Sequence, residues 1–559
     1  MLKKMLSLVS GFLSGRSSQI VKAVSFVPGA VPIINRMIIN YFASTTPARP
    51  HRFSLWTPSS AFTPVVARTP ATQPNTDTKP APVSVPECYT SWPSLIDRTF
   101  TSRHLGPHDP AERAYPSEGA VLNLLQRPSR QIDSNRSTFL FCFFAQWFTD
   151  SFLRTHPVDP RRNTSNHEID LCQLYGLDEP STWALREGRH GRMKARKGAD
   201  GRDLPPFLFK NEAIDLQFYD PDPLRETGLS YLRGGRLESW VNAIESALPG
   251  ALSAPDRRPY VYAFGLDRGG STVAYSVFNI LFLREHNRIA GELAKQYPNW
   301  DDNRLFETAR LINIRQVLDI VVNDYIRHIG GVFPFSLDRT FAENKRWYRT
   351  NRISIEFNLL YRWHPLVPDT FRFKGQILPH EQYRFNNRLV EENGVEAILN
   401  AASLQPAGHI GLFNSPAFLR VADQRGLKWA RDFGLRSFND YRERFELSRY
   451  NTIDEFAENL QVAASLKKVY RSMDDIEFTI GLFAEKRGEG ETMPETLTRM
   501  VAYDAFTHIL TNPVLASEVH CESTYSEWGW NHIQNHGGLK ELILRNCDQA
   551  KLEHISFDL

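Results

Sequence analysis

The stretch that decides the fold of this chain reads Glu356-Phe357-Asn358-Leu359-Leu360-Tyr361-Arg362-Trp363-His364-Pro365. If it is helical, Tyr361 and His364 share one face, because residues three apart are neighbours on a helix surface. Proline disfavours helical conformation in the residue before it, so Pro365 predicts that the helix ends at His364. The stretch therefore places a phenol and an imidazole together at a helix end.

This pair has two interpretations. A histidine at a helix end can bind haem iron axially, with the tyrosine one turn earlier near the macrocycle. Oxidised haem could then draw an electron from the phenol and leave a tyrosyl radical. On an apolar helix, however, such a pair is more typical of a core tyrosine and a hydrogen-bonded histidine. The pair alone leaves both interpretations open.

The bulk composition is that of an ordinary globular protein. The 559 residues are 42% apolar and 23% charged, which is ample material for a large core. This length suits one large, mostly helical domain or several small ones. The formal net charge of +3 is too small to indicate a nucleic-acid partner.

The cysteines indicate a reducing compartment. There are five, an odd number without any C-x-x-C spacing, at Cys88, Cys142, Cys172, Cys521 and Cys547. This pattern fits neither a disulfide framework nor a zinc site. A reducing environment is the better expectation.

The first 45 residues are basic and amphipathic. No acidic residue precedes Asp77, and apolar residues recur at helical spacing from Leu2 to Leu13. No apolar run reaches the roughly 18 residues of a spanning helix. Three interpretations stay open: helices lying in one membrane leaflet, helices packed on the protein's own core, or an organelle-targeting peptide. We expect a peripheral position at the cytoplasmic face of a membrane, with organelle targeting as the alternative.

The rest of the chain divides into a linker and a body. Residues 46–86 are rich in Pro, Thr, Ala and Ser and predict an extended linker or strap. Residues 87–559 carry helical patterns and scarce strand-like alternation. The clearest predicted helix covers 302–326, and Asp301 or Asp302 is expected to cap its start.

Several motifs in the body occur in an order that is known from one family. They are Phe143-Phe144-Ala145-Gln146, Ile169-Asp170-Leu171, Leu283-Arg284-Glu285-His286-Asn287-Arg288, Asn439-Asp440-Tyr441-Arg442 and Glu491-Thr492-Met493. Together with the Tyr-x-Trp-His-Pro run at Tyr361, they resemble the animal haem peroxidase superfamily, and cyclooxygenases in particular. The resemblance covers roughly residues 89–544. Several collinear motifs are strong evidence where one would be weak.

The resemblance implies a mainly α fold, with a cyclooxygenase-like helical catalytic domain and short amphipathic N-terminal helices. It implies haem b as cofactor, His364 as its axial iron ligand and Tyr361 as the hydrogen-abstracting radical. Gln146 would lie on the distal helix, over the oxygen-binding face. No calcium site is predicted, and a homodimer is a further expectation.

The implied reaction is dioxygenation of an unsaturated fatty acid. Arg362 completes a Tyr-Arg-Trp-His run that is similar to fungal linoleate diol synthases. This similarity favours a simple hydroperoxide product over a cyclised one. Two other functions stay open: a peroxidase that oxidises small organic donors, and a catalytically weak haem-binding or lipid-binding membrane protein.

The chain departs from the family pattern at the distal residue. Asp150 stands four residues after Gln146, where the resemblance implies an acid–base histidine. An unperturbed aspartate has a pKa of about 3.9, against about 6.5 for histidine, and is the weaker base. Three alternatives stay open: Asp150 is a working base, it disables the peroxidase half-reaction, or the alignment with the family is shifted at this position.

The expected carboxylate anchor of the substrate has also changed. Val332 occupies the position of the family's channel-mouth tyrosine, and the position of its paired arginine lies near Thr46.

We expect His286 to pack or hydrogen-bond in the core. Arg284 and Arg288 could contact haem propionates, but paired or solvated positions are favoured.

Overall fold

The computed structural model describes residues 30–44, 97–108, 113–222, 227–330, 335–348, 351–488 and 491–559. The predicted helical spacing over residues 2–13 and the linker of residues 46–86 lie outside the described residues. So do Thr46, Cys88 and Val332.

The described chain is mainly helical, and about 50% of it is in helices. The first half contains α1 (Ala30–Ser44), α2 (Glu118–Leu125), α3 (Phe139–Thr149), α4 (Cys172–Tyr175), α5 (Glu179–Leu185), α6 (Arg236–Ala247), α7 (Val273–Gln296), α8 (Asp302–Ile320) and α9 (Arg327–Ile329).

The second half adds twelve more described helices. They are α10 (Ile355–Leu360), α11 (His380–Tyr383), α12 (Arg388–Asn393), α13 (Val395–Leu404), α14 (Arg420–Asp432), α15 (Phe438–Arg444), α16 (Ile453–Phe456), α17 (Leu460–Val469), α18 (Phe478–Ala484), α19 (Glu495–Leu510), α20 (Glu522–Asn535) and α21 (Leu539–Asn546).

The strands are short and form four antiparallel pairs among the described residues. They are β1 (Asp133–Thr138) with β8 (Pro406–Gly408), β2 (Arg196–Lys197) with β3 (Asp203–Leu204), β4 (Phe209–Lys210) with β5 (Ala213–Ile214), and β6 (Thr370–Phe373) with β7 (Gln376–Pro379). The mainly α fold predicted from the sequence is confirmed.

Helices α7 and α8 form the centre of the core. Nearly all of α7 is buried up to Asn287, and α3 packs across it through a stack of Trp147 on Phe282, with ring centroids 4.8 Å apart. The start of α8 is as predicted, because the Asp301 side chain accepts the backbone N–H of Arg304. Residues on all faces of the buried part of α7 are covered by protein, as expected for a helix at the centre of a core.

The end of α8 changes its geometry. The chain passes from α-helix into a π-helix over Val321–Ile326, a form often found near functional sites. This segment carries Tyr325, whose side chain is fully buried. The wider turn therefore determines where this phenol points.

Helix α1 packs one face on the body. Phe42 is fully buried and stacks on Phe506 of α19, with ring centroids 6.1 Å apart, and the Tyr41 hydroxyl donates to Glu446 at 2.8 Å. On the other face Ile33 is 60% exposed. Within the described ranges, no helix is both long and apolar enough to cross a bilayer.

The predicted end of the helix before Pro365 was wrong. Helix α10 covers Ile355–Leu360, Tyr361 caps its end, and a separate 3₁₀ turn covers His364–Leu366. Proline fits the first residues of a new turn, where its missing N–H costs nothing. The helix must therefore break before His364, and it does so at Tyr361.

Candidate functional site

The imidazole of His364 is held by a carboxylate. Its Nδ1 atom lies 2.6 Å from Oδ1 of Asp423, a residue in the first turn of α14. The other oxygen of Asp423 accepts from Gln126 Nε2 at 3.0 Å and from Ser415 Oγ at 2.5 Å. Facing an acceptor, Nδ1 carries the ring proton, which leaves Nε2 as the basic nitrogen. This is how a protein orients a histidine to bind a metal.

Tyr361 lies at the end of α10 among aromatic rings. Its ring stacks on Trp363 with centroids 4.4 Å apart and packs edge-on against Phe357 at 4.9 Å. Burial raises the pKa of the Tyr361 phenol well above its usual range, and the neighbouring Tyr325 reduces that rise in part. The site therefore keeps Tyr361 as a neutral phenol at physiological pH.

Tyr325 was missed by the sequence analysis. Burial raises the pKa of its phenol well above the usual value, and Tyr361 adds to the rise. The two phenols interact although 36 positions separate them, and Tyr325 belongs to the π-helix that follows α8. No spacing in the sequence signals this contact.

The distal residues lie at the end of α3. The backbone N–H of Asp150 donates to the carbonyl of Gln146 at 3.1 Å, so the two side chains are one turn apart as predicted. The Gln146 amide donates to Ser271 Oγ at 3.2 Å, just before α7 begins. Asp150 is buried, and its Oδ2 atom has no hydrogen-bond partner among the described residues.

Two arginines interact with the charge of Asp150. The pKa of Arg268 is raised chiefly by Asp150. Arg154 lies nearby and donates to Asp267 at 2.6 Å. The distal side therefore combines a carboxylate with guanidinium groups, and Arg268 gave no signal in the sequence analysis.

The candidate residues lie around one region, termed the recess, in which the charge of Arg268 interacts with both Asp150 and Arg362. Tyr361 and Arg362 are partly exposed, and Arg268 is exposed. Burial and then the charge of Arg268 lower the pKa of Arg362 to about 10, so these two cations lie close together. The recess thus contains an oriented imidazole, a buried phenol and two cations. These groups suit haem, which needs a nitrogen ligand for iron and partners for two carboxylates.

Three other residues considered from the sequence have partners elsewhere. His286 is fully buried and lies between the Tyr175 hydroxyl at 2.8 Å and the carbonyl of Gly191 at 2.9 Å, in the core position that was expected. Arg284 donates to the carbonyls of Asp203 and Asn546. Arg288 pairs with Glu285 at 2.8 Å. Neither arginine is turned toward Gln146 or His364.

Comparison with known proteins decides the family. The family described as animal haem peroxidase matches residues 149–557, a range that contains Asp150, Tyr361 and His364. The chain belongs to this family. The predicted family is thereby confirmed, and with it the expectation of an oxidoreductase family.

Members and structural neighbours of the family show how far the likeness extends. Prostaglandin G/H synthase 1 of Rattus norvegicus is 32% identical over 413 residues, which cover 73% of this chain and 62% of the rat protein. The chain thus matches less than two thirds of that relative's length. Fatty acid alpha-dioxygenase of Arabidopsis thaliana superposes with a TM-score of 0.65 at 16% identity, covering 82% of this chain and 80% of the plant protein. Peroxidase A of Dictyostelium discoideum gives 0.62 at 20% identity, covering 82% and 95%. At these identities the two structures support the fold.

Proposed function

We propose that this chain is a haem-dependent dioxygenase that adds O2 to an unsaturated fatty acid and yields a hydroperoxide. The observation that carries the proposal is the buried phenol of Tyr361, three residues from a histidine whose Nδ1 is held by Asp423. Two proteins that this chain resembles, a prostaglandin G/H synthase and a fatty acid alpha-dioxygenase, support a fatty acid as substrate.

In this proposal His364 would hold the iron of haem b through Nε2, and Asp423 keeps the ring in position. When bound, haem would supply the one-electron oxidation that Tyr361 needs in order to become a phenoxyl radical. The phenol gives up its proton together with the electron. Phe357 and Trp363 pack on the ring and so limit the access of water to the radical.

The Tyr361 radical then acts on the fatty acid. It takes a hydrogen atom from an allylic or bis-allylic carbon, so that one C–H bond breaks and the phenol O–H forms. O2 adds to the carbon radical and gives a peroxyl radical. The peroxyl radical takes the hydrogen atom back from Tyr361, which releases the hydroperoxide and restores the phenoxyl radical.

Asp150 and Gln146 serve the distal face in this proposal. The unpartnered oxygen of Asp150 accepts a proton from peroxide, and Arg268 stabilises the negative charge that develops. The Gln146 amide, placed by Ser271, completes that face. A peroxidase acting on small donors would use the same residues, and fast oxidation of a phenolic dye without oxygenation of fatty acid would identify it.

We also propose that the N-terminal segment contacts one membrane leaflet from the cytoplasmic side. The exposed Ile33 on α1, whose opposite face packs on the body, supports this proposal. The chain would then take its apolar substrate from the bilayer surface. Sedimentation with phosphatidylserine-containing vesicles tests it, and a purely organelle-targeting segment would give no vesicle binding.

Oxygen consumption by the haem-loaded protein tests the main proposal. We expect uptake with linoleate, oleate or arachidonate after priming with a trace of peroxide, and no uptake by Tyr361→Phe. Tyr383→Phe is the matched control, because it removes another buried phenol, one that donates to the carbonyl of Pro368. Full uptake by Tyr361→Phe would overturn the radical mechanism.

A further inference from the structure

Arg362 is a partly buried guanidinium that makes no ion pair with a carboxylate of the described residues. Its only side-chain hydrogen bond to a described residue is a long one, 3.5 Å to the amide oxygen of Asn358, and its Nε is buried without a partner. The guanidinium also lies 5.0 Å from the ring centroid of Trp429. These contacts hold the group in place but leave most of its N–H donors unused.

The charges around Arg362 make this lack of a partner costly. Its closest charged neighbours include two further cations, Arg268 and Arg425. The carboxylate in reach belongs to Asp423, whose oxygens already accept from His364, Gln126 and Ser415. Placing a partly buried guanidinium beside other cations is unfavourable unless an anion joins them.

Neighbouring residues determine the position of the Arg362 side chain. On α14, a Cβ atom added at Gly426 would lie 3.2 Å from Cδ of Arg362, so the glycine makes room for the side chain. Arg362 is also two positions from His364, within one turn of the backbone. A molecule bound at His364 is therefore within reach of its guanidinium.

We propose that Arg362, with Arg268 as a supporting charge, forms a carboxylate-binding clamp beside His364. The planar guanidinium matches a carboxylate in two parallel hydrogen bonds, which a lysine cannot do. Two sources have this chemistry: the propionate side chains of haem and the carboxylate of the fatty acid. The clamp rests on the haem site proposed above. It adds the chemical group that the recess binds, which is a carboxylate.

The first arm of the test uses haem with and without its charges. Apoprotein is titrated with haemin and with haemin dimethyl ester, in which both propionates are esterified, and the Soret band gives each affinity. If the clamp holds propionates, we expect the native protein to prefer haemin by roughly 10- to 100-fold. Arg362→Gln should lose that preference while binding the ester as the native protein does.

The second arm uses the fatty acid. Haem-loaded protein without oxygen is titrated with palmitate and with 1-hexadecanol, which has the same chain but no carboxylate. If the clamp holds the substrate, palmitate should be preferred by the native protein and lose its advantage in Arg362→Gln. Preference in the first arm alone assigns the clamp to haem, and preference in the second alone assigns it to substrate.

Three further variants keep the test decisive. Arg362→Lys retains a charge and should recover part of the preference. Arg268→Gln serves as an independent probe where Arg362→Gln does not fold, and it should show the same loss. Arg388→Gln removes an exposed arginine that pairs with Glu392 and should change neither preference.

Folded Arg362→Gln and Arg268→Gln variants that keep both preferences unchanged would overturn the clamp. Neither arm measures turnover. If the native protein consumes no oxygen but still shows the preference for a carboxylate, the dioxygenase reaction is rejected and the clamp is retained.

Discussion

His364 and the buried Asp423 form a pair, with Nδ1 of the histidine 2.6 Å from Oδ1 of the aspartate although 59 positions separate them. Because Asp423 also binds Gln126 and Ser415, its carboxylate cannot rotate freely. The pair therefore sets both the tautomer and the orientation of the imidazole before any ligand arrives.

Removing this carboxylate should weaken haem binding. We expect Asp423→Ala to lower haemin affinity about 10- to 100-fold, because the ring loses its orienting partner. Asp423→Asn keeps an oxygen acceptor and should lose less. Soret titration measures both, with Asp454→Asn on the surface as the control. Native affinity in Asp423→Ala would show that the pair does not orient a ligand.

The second prediction concerns the distal carboxylate. We expect Asp150→Asn to slow peroxide consumption with a phenolic donor by about 10²-fold, since the amide cannot take a proton. The haem spectrum should be retained, which separates this effect from loss of cofactor. If peroxide turnover is slow in the native protein and unchanged in Asp150→Asn, the substitution of histidine by Asp150 has disabled this half-reaction.

The third prediction concerns acid stability. Burial lowers the pKa of His286 to about 3, and the nearby Arg310 and Arg192 act in the same direction. A histidine whose pKa is lower in the folded than in the unfolded state stabilises the fold above about pH 6.5, and this contribution is lost as the pH falls toward 3. Each pKa unit corresponds to about 1.4 kcal/mol of unfolding free energy.

His286→Gln should therefore flatten the pH dependence over this window, since glutamine can hydrogen-bond but does not titrate there. Urea unfolding of both proteins at pH 7.5, 6 and 4.5 measures the effect. The free-energy difference between them should shift in favour of the variant as the pH falls. Parallel curves would contradict a neutral His286 in the native fold.

The fourth prediction separates the two faces of α1. Phe42→Ala should lower the free energy of unfolding by about 3–5 kcal/mol, because it leaves a cavity against Phe506. Ile33→Ser should change it by about 0.5 kcal/mol or less, since Ile33 is 60% exposed. Vesicle binding should show the opposite order, and loss of vesicle binding only in Phe42→Ala would reject a membrane role for the exposed face.

Sequence alone determined the features that depend on neighbouring residues. The helical class followed from apolar periodicity, and the start of α8 followed from Asp301, whose side chain caps the helix only three residues away. Tyr361 and His364 were also identified from local sequence, since three positions separate them, but the helix break between them removes the shared helical face that was predicted. The end of α10 also depends on local sequence, but continuation of the helix to His364 competed with the turn that contains Pro365. The turn prevailed, and the helix ended earlier than predicted.

Only the tertiary structure decided which distant groups complete the site. Asp423 reaches His364 because α14 packs beside the turn that carries the histidine, and Tyr325 reaches Tyr361 because α8 ends in a π-helix. Arg268 approaches Arg362 from a separate segment. Hydrogen bonds and charge interactions act over a few ångströms in space, and spacing along the chain does not specify which helices will bring such groups together.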